Sequence, residues 1–322
     1  MGNKTFLSDL YWLYYAGNYE GMIKCIFRYI FRKCVGISEV EEQIKTLHYF
    51  LNHYADIRMF PKANGPLRDL QKADVALLRF FHAVCIRNNL TYWLDYGTLL
   101  GAVRHGGFIP WDDDLDVGMP REDYNKLKGL LNVFSHYGIL AKERDDMPAM
   151  QIYVTYLCKE TGIWLDVFPV DSVQSVIDEE LYKKLIRYRK WYYKNKDKVP
   201  PECISYKRNE IIQSSIENGS QEILYHGPEF VYDRLVIHPR NVIYPIGQVV
   251  FEGFEFCAPN QVPRYLEGIF GSAYMNFPRN GIEKHTDEDG VLALRALKNG
   301  IDMNRVCQEL NEALEDYEYE SD

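Results

Sequence analysis

Residues 93–118 read WLDYGTLLGAVRHGGFIPWDDDLDVG, and the spacing within this stretch decides the fold. Alternation and aromatic residues from Leu90 to Asp95 predict a strand that Gly97 ends. Thr98 is then placed to cap a short helix running through Arg104, its hydroxyl satisfying a free amide of the first turn. His105 to Trp111, rich in glycine and containing Pro110, is a loop that delivers an acidic cluster. Leu115 and Val117 alternate with Asp114 and Asp116 as in a half-buried strand, which Pro120 closes. Extended back to Asp112, that strand puts Asp112, Asp114 and Asp116 on one side and turns Asp113 away.

Three convergent carboxylates repel one another unless a cation neutralises them, and hard oxygen ligands of this kind suit Mg²⁺ or Mn²⁺. A calcium-binding loop starting at Asp112 is excluded, because Val117 stands where the sharp turn requires glycine and Asp123 where the closing ligand is glutamate. An acidic turn without a ligand is the plainer alternative; Trp111, Leu115 and Val117, which prefer burial, speak against it.

Outward from this stretch, KANGPL at 62–67 is a loop, followed by a helix to about Asn88 with Leu70, Val75, Leu78, Phe81, Val84 and Cys85 on its apolar face. Downstream, a helix is expected from about Glu122 to Phe134, strands near Met150–Leu157 and Gly162–Phe168, and a basic helix from about Glu179 to Lys194. Strands alternating with helices point to an α/β or α+β domain with a mixed sheet flanked by helices. Residues 21–33 form a basic amphipathic helix that suits either the core or an anionic membrane surface. The closing EDYEYESD is expected not to be ordered.

The net charge of -9 argues against a nucleic-acid binder, which needs a cationic surplus to neutralise phosphates. The 7 cysteines form no C-x-x-C pair, which suggests reduced thiols and no zinc site. MGNKTFLSDL lacks the apolar core of a signal peptide, so the expected location is cytoplasmic, with the inner face of the cell membrane in reach.

Gly97-Thr98, where a strand gives way to a helix, aims backbone amides and a hydroxyl at one spot, a site for phosphate oxygens. Beside a D-x-D strand, this is the arrangement of a nucleotidyltransferase fold. A third acid on another strand would complete it, and Asp166 in IWLDVFPVD is the candidate, the alternative being an acid facing solvent from an edge strand.

YWLDYGTLLGAVRHGGFIPWDDDLDVG, then WLDVFPVD and, more loosely, FEGFEFCAPNQVPRYLEGIFGSAYMNFP resemble the LicD family of phosphocholine transferases, related to fukutin and fukutin-related protein. The resemblance runs from about Leu90 to Pro278; Phe270-Gly271-Ser272 departs from the family's Tyr-Gly. It implies metal binding by Asp114 and Asp116, with Asp112 beside them and Asp166 as third acid, and phosphate holding by Gly97, Thr98 and Arg104. The implied reaction moves a phospho-alcohol, most simply phosphocholine from CDP-choline, to a hydroxyl of a cell-surface glycan or its lipid-linked precursor, such as teichoic acid, lipopolysaccharide or capsule, releasing CMP. Asp166 is expected to complete the metal site or take the acceptor's proton; His105 is expected either to help bind or protonate the donor or to be structural only; Arg279 and His285, past the resemblance, are expected to close over the nucleotide. Donors carrying ribitol, glycerol or ethanolamine, transfer of the nucleotide itself, and a non-catalytic scaffold are the alternatives. The expected organisation is an N-terminal helical extension over 1–66, a catalytic domain over 67–290, and a C-terminal helix and acidic tail over 291–322.

Overall fold

The computed structural model describes residues 26, 38–144, 149–156, 159–174, 179–213, 221–224, 227–230, 236–277 and 296–319. The basic helix expected over 21–33 lies outside them save for Ile26. Helix α1 (Ser38–Tyr54) precedes α2 (Gly65–Arg87), which starts where Pro66 cannot supply an amide and none is needed. One face of α2 buries Leu70, Ala73, Leu77, Phe80, Phe81 and Val84 completely, each large apolar side chain contributing roughly 1.5–3 kcal/mol. Helix α10 (Met303–Tyr319) packs on α2 through Leu310, Leu314 and Tyr317. It carries the acidic end in helical form as far as Tyr319, correcting the expectation of an unordered tail: Tyr317 is buried and lies 5.5 Å from the Phe80 ring.

Strand β1 (Trp93–Leu94) leads to α3 (Tyr96–His105), β2 (Leu115–Pro120), α4 (Arg121–Lys128) and α5 (Leu131–His136). The single helix expected over 122–134 is therefore two, divided at Gly129-Leu130. Strands β3 (Ile139–Glu143), β4 (Met150–Tyr156) and β5 (Lys159–Gln174) follow, then α6 (Glu179–Asn195) and α7 (Pro201–Gln213). The strand order is β1-β2-β5-β4-β3, with β2 parallel to β5 and the other neighbours antiparallel. β6 (Gln221–Leu224) and β7 (Ile237–Pro239) extend the sheet from the far end of β5. The mixed sheet flanked by helices is the fold class expected from the sequence.

After α8 (Arg240–Ile243), a hairpin of β8 (Gly247–Phe251) and β9 (Phe254–Ala258) leads to α9 (Val262–Phe270). Strand alternation then positions the site. Leu115, Val117, Leu165 and Val167 are fully buried on one face of β2 and β5, so Asp116 and Asp166 emerge on the other. No described helix is long and apolar enough to cross a membrane.

Candidate active site

Parallel pairing of β2 with β5 makes Asp116 and Asp166 direct register partners, so two carboxylates 50 positions apart stand side by side. Asp112, Asp113 and Asp114 precede the strand, and one carboxylate oxygen of each lies within 4.8 Å of the others. The expectation that Asp113 faces away is thus corrected. The strand begins only at Leu115, so its alternation does not govern the three acids, and Asp113 is 2% exposed among its neighbours.

Asp95, not Thr98, caps α3: its Oδ1 accepts from the Tyr96 amide at 2.8 Å. Tyr96 is held at φ +39, a left-handed conformation that a non-glycine residue adopts at a cost of about 1–3 kcal/mol. Asp95 Oδ1 also accepts from the Tyr265 hydroxyl, which itself accepts from the Trp93 indole, both at 2.9 Å, fixing the turn to α9. Thr98 sits within the first helical turn, and its hydroxyl oxygen accepts the Asp116 amide at 2.9 Å. A side chain at Gly97 would meet Asp112 Oδ2 at 2.7 Å, so glycine is what lets the turn and the acidic loop approach.

Arg104 is 6% exposed and donates to the Tyr274 carbonyl at 3.1 Å; burial draws its guanidinium down to about 10 against the pull of Asp112. Its Nε donates to His105 Nε2 at 3.1 Å. Burial and the Arg104 charge hold the His105 ring at about 4, so it is a neutral acceptor orienting Arg104 and is unsuited to protonating a donor at neutral pH. Arg279 and His285 lie outside the described residues.

Burial raises Asp166 to about 6, opposed by Arg144, whose Nη1 donates to Asp166 Oδ2 at 2.5 Å. Oδ1 of Asp166 is buried and accepts no hydrogen bond. Burial, then repulsion from Asp114, Asp166 and Asp95, pushes Asp116 well above the usual carboxylate range; burial, then Asp114 and Asp113, does the same for Asp112.

Sequence reasoning missed Arg144, which has no motif around it, and Asp95, read only as the end of a strand. It also passed over Asp74 of α2, whose position four residues after Leu70 and four before Leu78 puts a charge inside an apolar stripe. That placement was the available signal.

Residues 89–210 match the family model described as LicD/FKTN/FKRP, nucleotidyltransferase domain. The chain is related to the LicD family. It is 28% identical over 261 residues to the lipopolysaccharide cholinephosphotransferase LicD of Haemophilus influenzae, covering 70% of this chain and 98% of that protein. It is 24% identical over 201 residues to the human ribitol 5-phosphate transferase FKRP, covering 62% of this chain but only 32% of that longer protein. A shorter match, 34% over 83 residues, reaches the mannosyltransferase regulator 14 of Saccharomyces cerevisiae, 25% of this chain and 9% of that one. The family match encloses the turn at Gly97, the acidic loop and Asp166.

Proposed function

We propose that the chain transfers a phospho-alcohol group, most simply phosphocholine, from a CDP-linked donor to a glycan hydroxyl, releasing CMP. The observation that carries this reading is the pairing of Asp116 with Asp166 on parallel strands beside the turn at Asp95–Thr98. The relationship to LicD supports phospho-alcohol transfer onto a glycan as the reaction class.

The residues fit a divalent ion. Carboxylate oxygens converge within 4.8 Å in the acidic loop, and the buried Oδ1 of Asp166 takes no hydrogen bond. Asp114 and Asp116, with Asp112 and Asp166 beside them, would hold Mg²⁺ or Mn²⁺, all hard oxygen donors. When bound, the ion would offset charge developing on the departing nucleotide phosphate.

Asp95 takes the Tyr96 amide, and the next amides of the first turn of α3, those of Gly97 and Thr98, lack intrahelical acceptors and suit the pyrophosphate oxygens. Arg104, fixed by His105 and the Tyr274 carbonyl, serves as the cationic clamp. The acceptor oxygen attacks the phosphorus bearing the alcohol, the bond to CMP breaks, and CMP departs with its electron pair. The acceptor's proton passes to a carboxylate; Asp166, with Oδ2 held by Arg144 and Oδ1 open, is the group for this or for completing the ion's ligand set. A lipid-linked acceptor would bring the chain to the inner face of the cell membrane.

Mass spectrometry of the acceptor after incubation with CDP-choline and Mg²⁺ tests the direction of cleavage. Addition of phosphocholine supports the reading, whereas addition of CMP would show nucleotidyl transfer instead.

A further inference from the structure

Three aromatic rings from three different elements meet on the face of the sheet that carries Asp116 and Asp166. Phe168 lies two residues past Asp166 on β5, and because side chains alternate along a strand the two emerge on the same face. Its ring centroid is 6.1 Å from that of Tyr96, the first residue of α3, with the ring planes inclined at 55°. The ring of Phe270, the last residue of α9, lies 6.2 Å from the Tyr96 ring at an interplanar angle of 75°. Strand, turn and helix thus bring the rings together one pleat from Asp166.

Two features set this group apart from core packing. Phe270 is 40% exposed and Tyr96 half-buried, so the group reaches the surface, while Phe168 is 7% exposed. Tyr96 also stands at φ +39, where glycine would sit without strain and a tyrosine costs about 1–3 kcal/mol. A ring is kept there against the preference of the backbone, directly before the Gly97 and Thr98 amides proposed for the phosphate oxygens. Chemistry then narrows what such rings can hold. Ribitol or glycerol would need hydrogen-bond partners, which the ring faces of Phe168 and Phe270 do not offer. A quaternary ammonium donates no hydrogen bond and is attracted to aromatic faces within roughly 6 Å of the ring centroid. Rings this close, inclined at 55° and 75°, can present their faces to one such cation together.

We infer that Tyr96, Phe168 and Phe270 form the pocket for a trimethylammonium group on the donor and so select choline over uncharged alcohols. This rests on reading the chain as a phospho-alcohol transferase whose donor phosphates lie at the α3 turn. In phosphocholine two carbons separate the phosphate oxygen from the ammonium, so the cation stays beside the turn that takes the phosphate. Phe270, at the exposed end of α9, is the ring whose loss disturbs the core least.

Calorimetric titration of the full chain with Mg²⁺ and no acceptor tests the pocket, comparing CDP-choline with CDP-3,3-dimethylbutanol, the isostere in which carbon replaces the charged nitrogen. The wild type is expected to bind CDP-choline roughly tenfold more tightly than the isostere. Phe270→Leu should bring the two donors to within about twofold of each other, and Phe270→Tyr should keep the preference. Equal affinities in the wild type, an unchanged ratio in Phe270→Leu, or tighter binding of CDP-ribitol than of CDP-choline would overturn the assignment. Saturation-transfer NMR on the wild type needs no variant: irradiating the aromatic protons should reach the methyl protons of bound CDP-choline, and no transfer to them contradicts the pocket. If CDP-choline is preferred in binding but releases no CMP with acceptor present, the proposed reaction fails and the pocket stands. If CDP-ribitol alone binds and is turned over, the reaction class stands and the pocket fails.

Discussion

Gly97 is small because of Asp112. A β-carbon at this position would lie 2.7 Å from Asp112 Oδ2, so Gly97→Ala must displace either the turn or the carboxylate. Such a shift of about 1 Å is expected to lower turnover roughly 100-fold while the chain still folds, measured as CMP release beside circular dichroism. Glu252 acts on stability instead. Hydrogen bonds from Arg68, Lys62 and the Phe108 amide hold it down to about 2 against the cost of burial. A depressed folded value means its contribution is fully present above the ordinary 4.5 and is lost as pH falls from there toward 2. Glu252→Gln should therefore cost about 2 kcal/mol near neutral pH and flatten urea-unfolding stability across that acid window. The glycine turn and the D-x-D acids were legible in the sequence because each is local. Glu252 with Arg68 and Asp166 with Arg144 were not, since such pairs exist only once the chain has folded.

Between elements, the contact that couples the turn at Asp95–Thr98 to strand β2 is the Asp116 amide donating to Thr98 Oγ1. The sequence placed Thr98 at the right position with the wrong task. A Ser/Thr/Asp choice for the cap follows from spacing alone, and Asp95, one residue before the first helical residue, took it. Thr98→Val leaves a buried amide without an acceptor, at about 1–3 kcal/mol. Its expected signature is a Tm lower by roughly 2–4 °C in calorimetry together with reduced turnover, while Thr98→Ser keeps both. The strands β2 and β5 were readable from Leu115/Val117 and Leu165/Val167 alternation. Their parallel pairing was not, because register between distant strands is set by packing.

At the scale of the molecule, buried charges join what the sequence leaves separate. Arg121 at the start of α4 pairs with Asp171 on β5 and with Glu229, and Glu229 also accepts from Arg208 on α7 and the Tyr188 hydroxyl on α6. Helix α6, the basic helix expected from the sequence, and helix α7 are thereby anchored to the sheet that carries the acids. On the opposite side α2 links the same sheet to α10, and α9 reaches the turn through Tyr265 and Asp95. The acidic loop itself is held from α2, where Gln71 Nε2 donates to the Asp112 carbonyl at 2.9 Å. This loop and the β2–β5 pair are the proposed metal-dependent phosphotransferase site. Its most direct test is CMP release from a panel of CDP-alcohols with Mg²⁺, comparing wild type, wild type with chelator, and the Asp114→Ala/Asp116→Ala variant. The wild type is expected to release CMP, and release to fall at least about 100-fold with chelator or in the variant. Full turnover in the variant, or silence of the wild type across the panel with acceptor extracts present, would contradict it.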